Sequence, residues 1–558
     1  LRKLGFTDLL SLFGAAIYSV HPLFSFAISW IPARGDLLLA MFGIIALIFY
    51  LRYTERKRAV DLILYFVAFM FAVMAKESAF MIAFITAGYS LFIKKDFKIN
   101  KALFIQAAFY LLVAVVYFYM RRASVSTMSD GAFGLSRFLT NLPVVPETLL
   151  KFFVPLNIVV LPFYDTVRTV SGIILIFLFM VLLWRAKLNI PLTIWASLFF
   201  IFLTLPAMFY NPGWSDYIYQ YLLHRAYFPM MGILILLLML IAPLEEYLAA
   251  RQFRWGMIII IAAFTLMSIR MSGHFSGPVS FWRYAVKTNP SSAFSHLYLG
   301  NVSLMEGDYA TALDSYNRAL AIKTDMQKAV INRGVVFMQM SNTERAIEDF
   351  SRSLSLDSTD IKALRYRADA LLKQKDYRKA AVDFNTLIRK GEKTKEYVYS
   401  RGLCYMFLGT YHDAFNDFTH LINRHPENRS ITRLYAVSAM LIGNPQEAVA
   451  KNRWLIERDS TDFSALCNLG YALWENEEYA EAEKAFIKAE EIKPGYIDVT
   501  LGMVLCSHTM NHAAALQDYR NKALQMEPRL IGEEGITVLE DEGYLFSKRQ
   551  KQVLNEVF

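Results

Sequence analysis

Residues 334–350 read GVVFMQMSNTERAIEDF, and three positions in this stretch recur along the C-terminal half of the chain. Gly334, Ala346 and Phe350 have counterparts of the same size or chemistry at steps of 34 residues. Small residues let two helices approach closely, and an aromatic side chain fills the space towards the next helix pair. The period therefore predicts an all-α array in which each repeat is one pair of helices.

The recurring positions form three columns. The first small column is Gly300, Gly334, Ala368, Gly402, Ala436 and Gly470, the second is Ala312, Ala346, Ala380, Ala414, Ala448 and Ala482, and the aromatic column is Tyr316, Phe350, Phe384, Phe418 and Phe486, with Asn452 as the exception. This pattern is typical of a tetratricopeptide-repeat α-solenoid. We predict a solenoid over 293–530 with six clear repeats and a degenerate seventh near 497–530, followed by a capping tail over 531–558.

The concave face of such a solenoid is expected to bind a protein segment, because solenoids of this kind bind extended or helical partners. The predicted groove residues are Arg365, Tyr399, Met406, Arg433, Tyr471 and Trp474, with Leu297, Ile331, Met338, Leu403, Met440 and Lys362 around them. Methionine and aromatic side chains at these positions give an apolar, adaptable surface. The alternative is that some of these residues belong to the core between repeats.

The first half of the chain has a different composition from the second. Of the 558 residues 55% are hydrophobic, and the long apolar runs lie almost wholly before about Arg270. We therefore predict a polytopic α-helical membrane domain over 1–275 and a linker over 276–292 before the repeats.

About nine membrane spans are expected. They lie near 7–20, 36–51, 60–75, 78–93, 102–120, 169–184, 190–209, 222–243 and 255–271. Basic loops alternate with the others, which places the basic loops in the cytoplasm by the positive-inside rule, with Arg121 and Arg122 as the discordant pair. The turn 21–36, the turn 75–78, the segment 121–168, the loop 210–225 and the repeats then share the extracytoplasmic side, which is the periplasm if the membrane is a bacterial inner membrane.

Charged residues on that side suggest a site for a lipid phosphate. Lys76 offers charge to a phosphate while Glu77 orients it, and Arg225 with Tyr227 suits a phosphate at membrane depth because arginine binds phosphate in a bidentate manner. The alternatives are a structural pair for Lys76 and Glu77, and a topology anchor for Arg225.

Other site types are not indicated. The net charge of +9 lies largely in loops between apolar runs, so we expect no nucleic-acid partner. The cysteines Cys404, Cys467 and Cys506 have no metal-ligand spacing and are expected to be buried free thiols. The sequence therefore implies neither a divalent metal nor any resident cofactor.

Five motifs occur in order before and at the start of the repeats. They are His21-Pro22 with Trp30-Ile31 and Arg34-Gly35-Asp36-Leu37-Leu38; Ala75-Lys76-Glu77-Ser78; Pro155-Leu156 with Tyr164; Arg225-Ala226-Tyr227-Phe228-Pro229; and Trp282 before Asn289-Pro290. With the 34-residue array, this arrangement resembles the transmembrane and tetratricopeptide-repeat proteins, a branch of the GT-C membrane glycosyltransferases, and their bacterial relatives.

The resemblance implies transfer of a sugar from a polyprenyl-phosphate donor to a protein acceptor that the repeats bind. Lys76, Arg225, Arg34 and Tyr227 would face the donor phosphate, and Asp36, Glu77, His21 and His224 would support them. In this fold the catalytic acidic residue usually follows the first membrane helix. Because this chain does not start with Met and resembles relatives from a later point, we expect that residue in a missing N-terminal portion, so the catalytic base is unknown.

Two other functions remain open on the sequence alone. One is a non-catalytic, membrane-anchored repeat scaffold for assembly of an envelope protein complex. The other is a transporter, which the small number of ionisable residues within the spans disfavours.

Overall fold

The structure is a computed structural model, and it describes residues 1–25, 34–95, 101–124, 135–156, 158–159, 164–186, 188–209, 223–247, 250–391, 394–531, 535–541 and 543–558. These residues contain helices and turns but no β-strand, so the all-α prediction is confirmed for them. The chain divides into two compact units, unit 1 over Leu1–Thr324 and unit 2 over Asp325–Phe558. The predicted boundaries at 275, 292 and 530 stay predictions.

Unit 1 consists of helices α1 to α14. They are α1 Asp8–Val20, α2 Arg34–Arg56, α3 Ala59–Ala75, α4 Met81–Gly88, α5 Lys101–Ser124, α6 Leu135–Asn141, α7 Val144–Phe153, α8 Thr166–Arg185, α9 Ile190–Met208, α10 Met230–Tyr247, α11 Ala250–Ser272, α12 Pro278–Thr288, α13 Ala293–Met305 and α14 Tyr309–Ile322. A 3₁₀ turn over Glu77–Phe80 precedes α4, and a π-helical stretch over Tyr89–Lys94 follows it.

All nine predicted apolar segments of unit 1 contain a helix. Within the described residues, six helical stretches are long and apolar enough to cross a membrane: Arg34–Arg56, Glu77–Lys94, Leu103–Arg122, Thr166–Arg185, Ile190–Met208 and Arg251–Phe275. The apolar helices Asp8–Val20, Ala59–Ala75 and Met230–Glu245 are shorter. Several of these helices expose large apolar side chains, for example Leu111 at 68% and Trp184 at 79%.

Close helix contacts in unit 1 depend on glycine. A Cβ added at Gly172 of α8 would lie 2.3 Å from the carbonyl oxygen of Pro146 in α7, and one at Gly232 of α10 would lie 2.4 Å from that of Ala196 in α9. Atoms at these distances overlap, so any larger residue would push the two backbones apart. These two glycines therefore set the spacing of the α7–α8 and α9–α10 pairs.

Unit 2 consists of paired helices and ends in a short tail. Its helices are α15 Gln327–Gln339, α16 Thr343–Leu356, α17 Ile361–Lys373, α18 Tyr377–Arg389, α19 Lys395–Phe407, α20 Tyr411–Arg424, α21 Arg429–Leu441, α22 Pro445–Arg458, α23 Phe463–Glu475, α24 Tyr479–Ile492, α25 Ile497–Thr509, α26 Ala513–Met526, α27 Thr537–Asp541 and α28 Lys548–Val557. Repeat 1 is the pair α13–α14 of unit 1, and repeats 2 to 7 are the pairs from α15–α16 to α25–α26. The helix pairs follow the predicted period.

The three columns pack as the sequence predicts. A Cβ added at Gly334 would lie 2.6 Å from the ring of Phe350, and a Cβ added at Gly470 would lie 2.6 Å from the ring of Phe486. Both rings are fully buried. The small residue of the first helix therefore receives the aromatic ring of the second.

A further 34-residue column lies in the turn within each repeat. Gly307, Ser341, Lys375, Gly409, Gly443, Glu477 and Asn511 all have φ between 58° and 84°. Residues other than glycine are strained in this left-handed region by roughly 1–2 kcal/mol. The turn geometry is therefore maintained even where the sequence lacks glycine.

Ion pairs join the two helices of repeats 2 to 4. Each guanidinium binds both oxygens of its carboxylate, in the pairs Arg333–Asp349, Arg367–Asp383 and Arg401–Asp417, at 2.6–2.9 Å. In repeat 5 the same positions hold Tyr435 and Lys451, whose ammonium lies 5.8 Å from the ring centre. A cation–π contact thus replaces the ion pair there.

Candidate functional site

Unit 1 contains a charged cavity, which we call the Lys76 cavity. Its volume is about 450 Å³, and its lining residues are Asp36, Leu39, Lys76, Glu77, Ser78, Phe118, Arg121, Leu203, Pro206, Ala207, Arg225 and Pro229. They come from α2, the turn after α3, α5, α9 and the turn before α10. Three cations and two carboxylates thus share one space with largely apolar walls.

Local backbone geometry places Lys76. Helix α3 ends at Ala75, and Lys76 is extended, with φ −164° and ψ 138°, before the 3₁₀ turn begins. Its ammonium lies 2.5 Å from Oδ1 of Asp36 in the first turn of α2, and the Asp36 side chain is only 8% exposed. The positive end of the α2 dipole also favours a carboxylate at this position.

Glu77 has a different partner from the one predicted. Its carboxylate accepts a hydrogen bond from the Tyr117 hydroxyl at 3.3 Å and lies 3.7 Å from Arg121, which donates to the same hydroxyl at 2.8 Å. Adjacent residues in a turn point in different directions, so Asp36 and not Glu77 orients Lys76. The prediction for Glu77 is corrected accordingly.

Arg225 lies in the wall of the Lys76 cavity, and its charge acts on both Asp36 and Lys76.

Arg121 was not among the predicted site residues. The signal was present in the sequence, because Arg121 was one of two basic residues that did not fit the alternation of basic loops. Its place in the cavity wall beside Glu77 gives a second physical reason for a cation at this position.

Four predicted residues are not part of the described cavity wall. Arg34 is exposed at the start of α2. The ring of Tyr227 packs on Tyr18 and Phe24, at 5.3 and 4.9 Å between ring centres. The side chain of His224 lies outside the described residues, as do Trp30 and Ile31 of the predicted turn. Their assignment to a phosphate site stays a prediction.

His21, the fourth of these residues, has a structural environment. Its Nε2 donates to the carbonyl of Phe152 at 2.8 Å, and its Nδ1 accepts from the backbone N–H of Leu23 at 3.2 Å. Burial lowers the pKa of His21 to about 4, although the bond to Phe152 opposes this shift. The neutral ring therefore fixes the chain after α1 and is not among the residues that line the Lys76 cavity.

The predicted groove residues in unit 2 separate into two groups. Met406, Tyr471 and Trp474 are at most 5% exposed. Tyr471 donates to the carbonyl of Asp498 at 2.6 Å, and Trp474 donates to the hydroxyl of Thr509 at 3.2 Å. These contacts join repeat 6 to repeat 7. The assignment of Met406, Tyr471 and Trp474 to an open groove is therefore wrong, because they belong to the packed interior.

The other three groove residues are partly exposed. Arg433 donates to Asp462 of the next repeat at 2.8 Å, which limits its availability. Arg365 lies over the ring of its neighbour Tyr366 at 4.7 Å, and Tyr399 meets the ring of Phe418 edge-on at 6.2 Å. Arg365, Tyr399 and Arg433 are thus the predicted groove residues that are only partly buried.

The three cysteines are free and buried, as predicted. Burial raises the pKa of Cys404 and of Cys506 to about 12. Within the ranges that the structure describes, no group of three His, Cys, Asp or Glu side chains could hold a metal ion.

Known proteins match the repeat region. Tetratricopeptide-repeat family models match residues 281–326, 331–394 and 463–496. No curated protein sequence matches the chain.

Solved structures of repeat proteins also match part of this chain. A tetratricopeptide repeat protein from Parabacteroides merdae is 18% identical, with 48% of this chain and 99% of that chain covered and a TM-score of 0.35. The C-terminal part of a repeat-containing protein from Cytophaga hutchinsonii is 13% identical, with 44% and 99% covered and a TM-score of 0.34. YrrB, a repeat protein with an unusual peptide-binding site, is 16% identical, with 39% and 94% covered and a TM-score of 0.21. The family models confirm the prediction of tetratricopeptide repeats in this chain.

Proposed function

We propose that this protein is a multi-pass membrane glycosyltransferase of the GT-C type. In this proposal the Lys76 cavity binds the phosphate of a polyprenyl-phosphate sugar donor, and the repeats bind the protein acceptor on the extracytoplasmic side. The six long apolar helices and their exposed apolar side chains support membrane insertion. The repeats support protein binding, since tetratricopeptide arrays commonly bind protein segments.

The observation that carries the proposal is the charge of the Lys76 cavity. Lys76, Arg121 and Arg225 supply three positive charges against two negative charges on Asp36 and Glu77. The described lining therefore carries a net charge of +1, inside apolar walls where the attraction of an anion is stronger than in water. Leu203, Pro206 and Ala207 of α9 give the adjoining surface an apolar character that suits an isoprenoid chain.

Each cation has a role that follows from its placement. Asp36 holds the ammonium of Lys76, so this charge is in position before the ligand arrives. Arg225 and Arg121 can each offer paired N–H donors to phosphate oxygens. When the bond between sugar and phosphate breaks, these cations would stabilise the negative charge that develops on the leaving phosphate.

Lipid binding in nanodiscs tests this proposal. Native mass spectrometry would compare polyprenyl phosphate with the neutral polyprenol on the wild-type chain, Arg121→Gln, Arg225→Gln and the control Arg122→Gln. Arg122 is the exposed neighbour of Arg121 and does not line the cavity. Loss of one charged hydrogen bond costs about 1.5–3 kcal/mol, so each cavity variant should bind the phosphate lipid roughly tenfold to a hundredfold more weakly. Equal binding of the two lipids by the wild-type chain would contradict the proposal.

A non-catalytic scaffold is the second candidate, and one observation favours it. Both carboxylates of the cavity face cations, Asp36 with Lys76 and Glu77 with Arg121. A carboxylate paired in this way is a weak general base, because the cation stabilises its ionised form. Incubation of the chain with a labelled donor and membrane protein extract separates the two functions: the transferase releases polyprenyl phosphate, whereas the scaffold binds the donor without cleaving it.

A further inference from the structure

The C-terminal segment, residues 543–558, lies across the first helices of repeats 4 to 7. Gly543 is close to the ring of Phe407 at the end of α19, and α28 packs on α25. Between these two ends the segment meets Met440 of α21 and Tyr471 of α23. It therefore covers part of the face that the sequence predicts as the protein-binding groove.

Apolar side chains hold this segment. Phe546 is 2% exposed and its ring meets that of Tyr471 at 6.1 Å with an interplanar angle of 73°. Leu554 of α28 is fully buried. Leu545 packs on the apolar cluster that contains Met406. One aromatic and two leucine side chains thus enter the repeats within ten residues.

Polar contacts fix the register of α28. Gln550 is fully buried, and its side-chain amide donates to the carbonyl of Tyr471 at 3.4 Å. Its amide oxygen accepts from the backbone N–H of Ser547 at 2.9 Å, while the Ser547 hydroxyl caps the N–H of Gln550 at 3.0 Å and donates to Glu475. The repeats therefore bind both side chains that cap the start of α28, Ser547 through Glu475 and Gln550 through Tyr471.

Basic residues at the start of α28 lie beside an acidic and an aromatic side chain of repeat 6. Lys548, Arg549 and Lys551 lie within four residues at the start of α28. The Arg549 guanidinium lies 3.4 Å from Glu477 and donates to the Tyr479 hydroxyl at 2.8 Å. Its charge also lies over the Trp474 ring at 4.9 Å. The covered face thus suits a basic helix that has a buried apolar side.

We propose that residues 543–558 are an intramolecular ligand that occupies the partner site of repeats 4 to 7. The partner is a protein segment of the same chemistry: an aromatic residue, a serine helix cap, a glutamine one turn later and a basic amphipathic helix. It binds by displacing the segment. This inference rests on the proposed role of the repeats in binding a protein.

A competition experiment in the full chain tests the proposal. A fluorescent peptide of residues 543–558 is titrated against the wild-type chain and against a chain that ends at residue 542, both in nanodiscs. A tethered ligand has an effective concentration of about 1 mM, so a peptide with a Kd of about 10 µM should bind the wild-type chain roughly a hundredfold more weakly than the shortened chain. Peptides with Phe546→Ala and with Gln552→Ala serve as a matched pair, because Phe546 is buried and Gln552 is exposed. Only the Phe546→Ala peptide should lose binding.

Equal peptide binding by the two chains, or no binding by a folded shortened chain, would overturn the proposal. If the shortened chain does not fold, hydrogen exchange of the wild-type chain decides: the amides of α28 should exchange at least tenfold faster than those of α23 and α25. Exchange of all three helices at one rate would identify the segment as a permanent cap. Binding of polyprenyl phosphate, measured on the same samples, reports separately on the proposed function of unit 1.

Discussion

Replacement of Arg401 by methionine is expected to weaken repeat 4 by about 3 kcal/mol, because it leaves a buried carboxylate without its cation. The Asp417 side chain is only 8% exposed and accepts two bonds from Arg401, at 2.9 and 2.6 Å. The guanidinium also donates to Asn385 of repeat 3 at 2.9 Å. The variant therefore loses contacts both within repeat 4 and to repeat 3.

Hydrogen exchange followed by mass spectrometry measures this effect helix by helix. A loss of about 3 kcal/mol corresponds to roughly 150-fold faster exchange of the amides in α19 and α20. The double variant Arg401→Met with Asp417→Leu should recover most of the stability, because neither position then holds an unpaired charge.

The defect of Arg401→Met should also depend on pH. Burial raises the pKa of Asp417, and Arg401 opposes that shift. Without Arg401 the pKa of Asp417 in the folded state rises further above its unfolded value. Its contribution to stability is then present below the unfolded pKa and lost as the pH rises through the folded pKa. The loss of stability caused by Arg401→Met should therefore be smaller at pH 5 than at pH 8. An equal loss of stability at the two pH values would show that the unpaired carboxylate of Asp417 is not its cause.

Three further substitutions test other features. Burial raises the pKa of Asp498 to about 6, so the stability that the protonated side chain contributes is lost as the pH rises from about 4 through 6. Asp498→Asn should therefore stabilise repeat 7 by about 1–2 kcal/mol at pH 7.5 but not at pH 4. Hydrogen exchange of α25 measures this difference. Lys375 has φ 65°, so Lys375→Gly should stabilise repeat 3 by about 1 kcal/mol in the same assay, whereas Lys375→Val should destabilise it. Gly172→Val should prevent folding of unit 1, seen as aggregation in size-exclusion chromatography, while Gly256→Val, which has open space around it, should remain monodisperse.

The repeats could be predicted in detail because each helix pair makes the same local contacts. Gly334 and Phe350 are 16 residues apart and meet in the structure as their column positions indicate. The same spacing joins Arg401 to Asp417, and the 34-residue step repeats this pair. Short-range, repeated contacts of this kind leave a pattern that one sequence can show.

The sites could be predicted only in part because they depend on distant segments. Lys76 and Arg225 do line one cavity, yet Arg121 enters it from α5, and no local pattern links that helix to Glu77. Likewise, the burial of Tyr471 depends on repeat 7 and on the tail, which the helical period of α23 does not reveal. The helical period predicts which face of a helix is apolar, but it does not identify the segment that covers that face.

The pairing of charges in the Lys76 cavity limits what its residues can do. Asp36 is held by Lys76 and Glu77 lies beside Arg121, so proton abstraction from an acceptor would require one of these pairs to separate. An incoming phosphate can bring about that separation, because it competes with each carboxylate for the same cation. The two proposed functions thus differ at this step: in a transferase the bound donor weakens one pair and frees its carboxylate, whereas in a scaffold the phosphate binds while both pairs stay intact. Asp36→Asn tests this step in the transferase: if Asp36 is the carboxylate that is freed, the variant should still bind the donor but no longer transfer sugar, whereas retained transfer would assign the base to another residue.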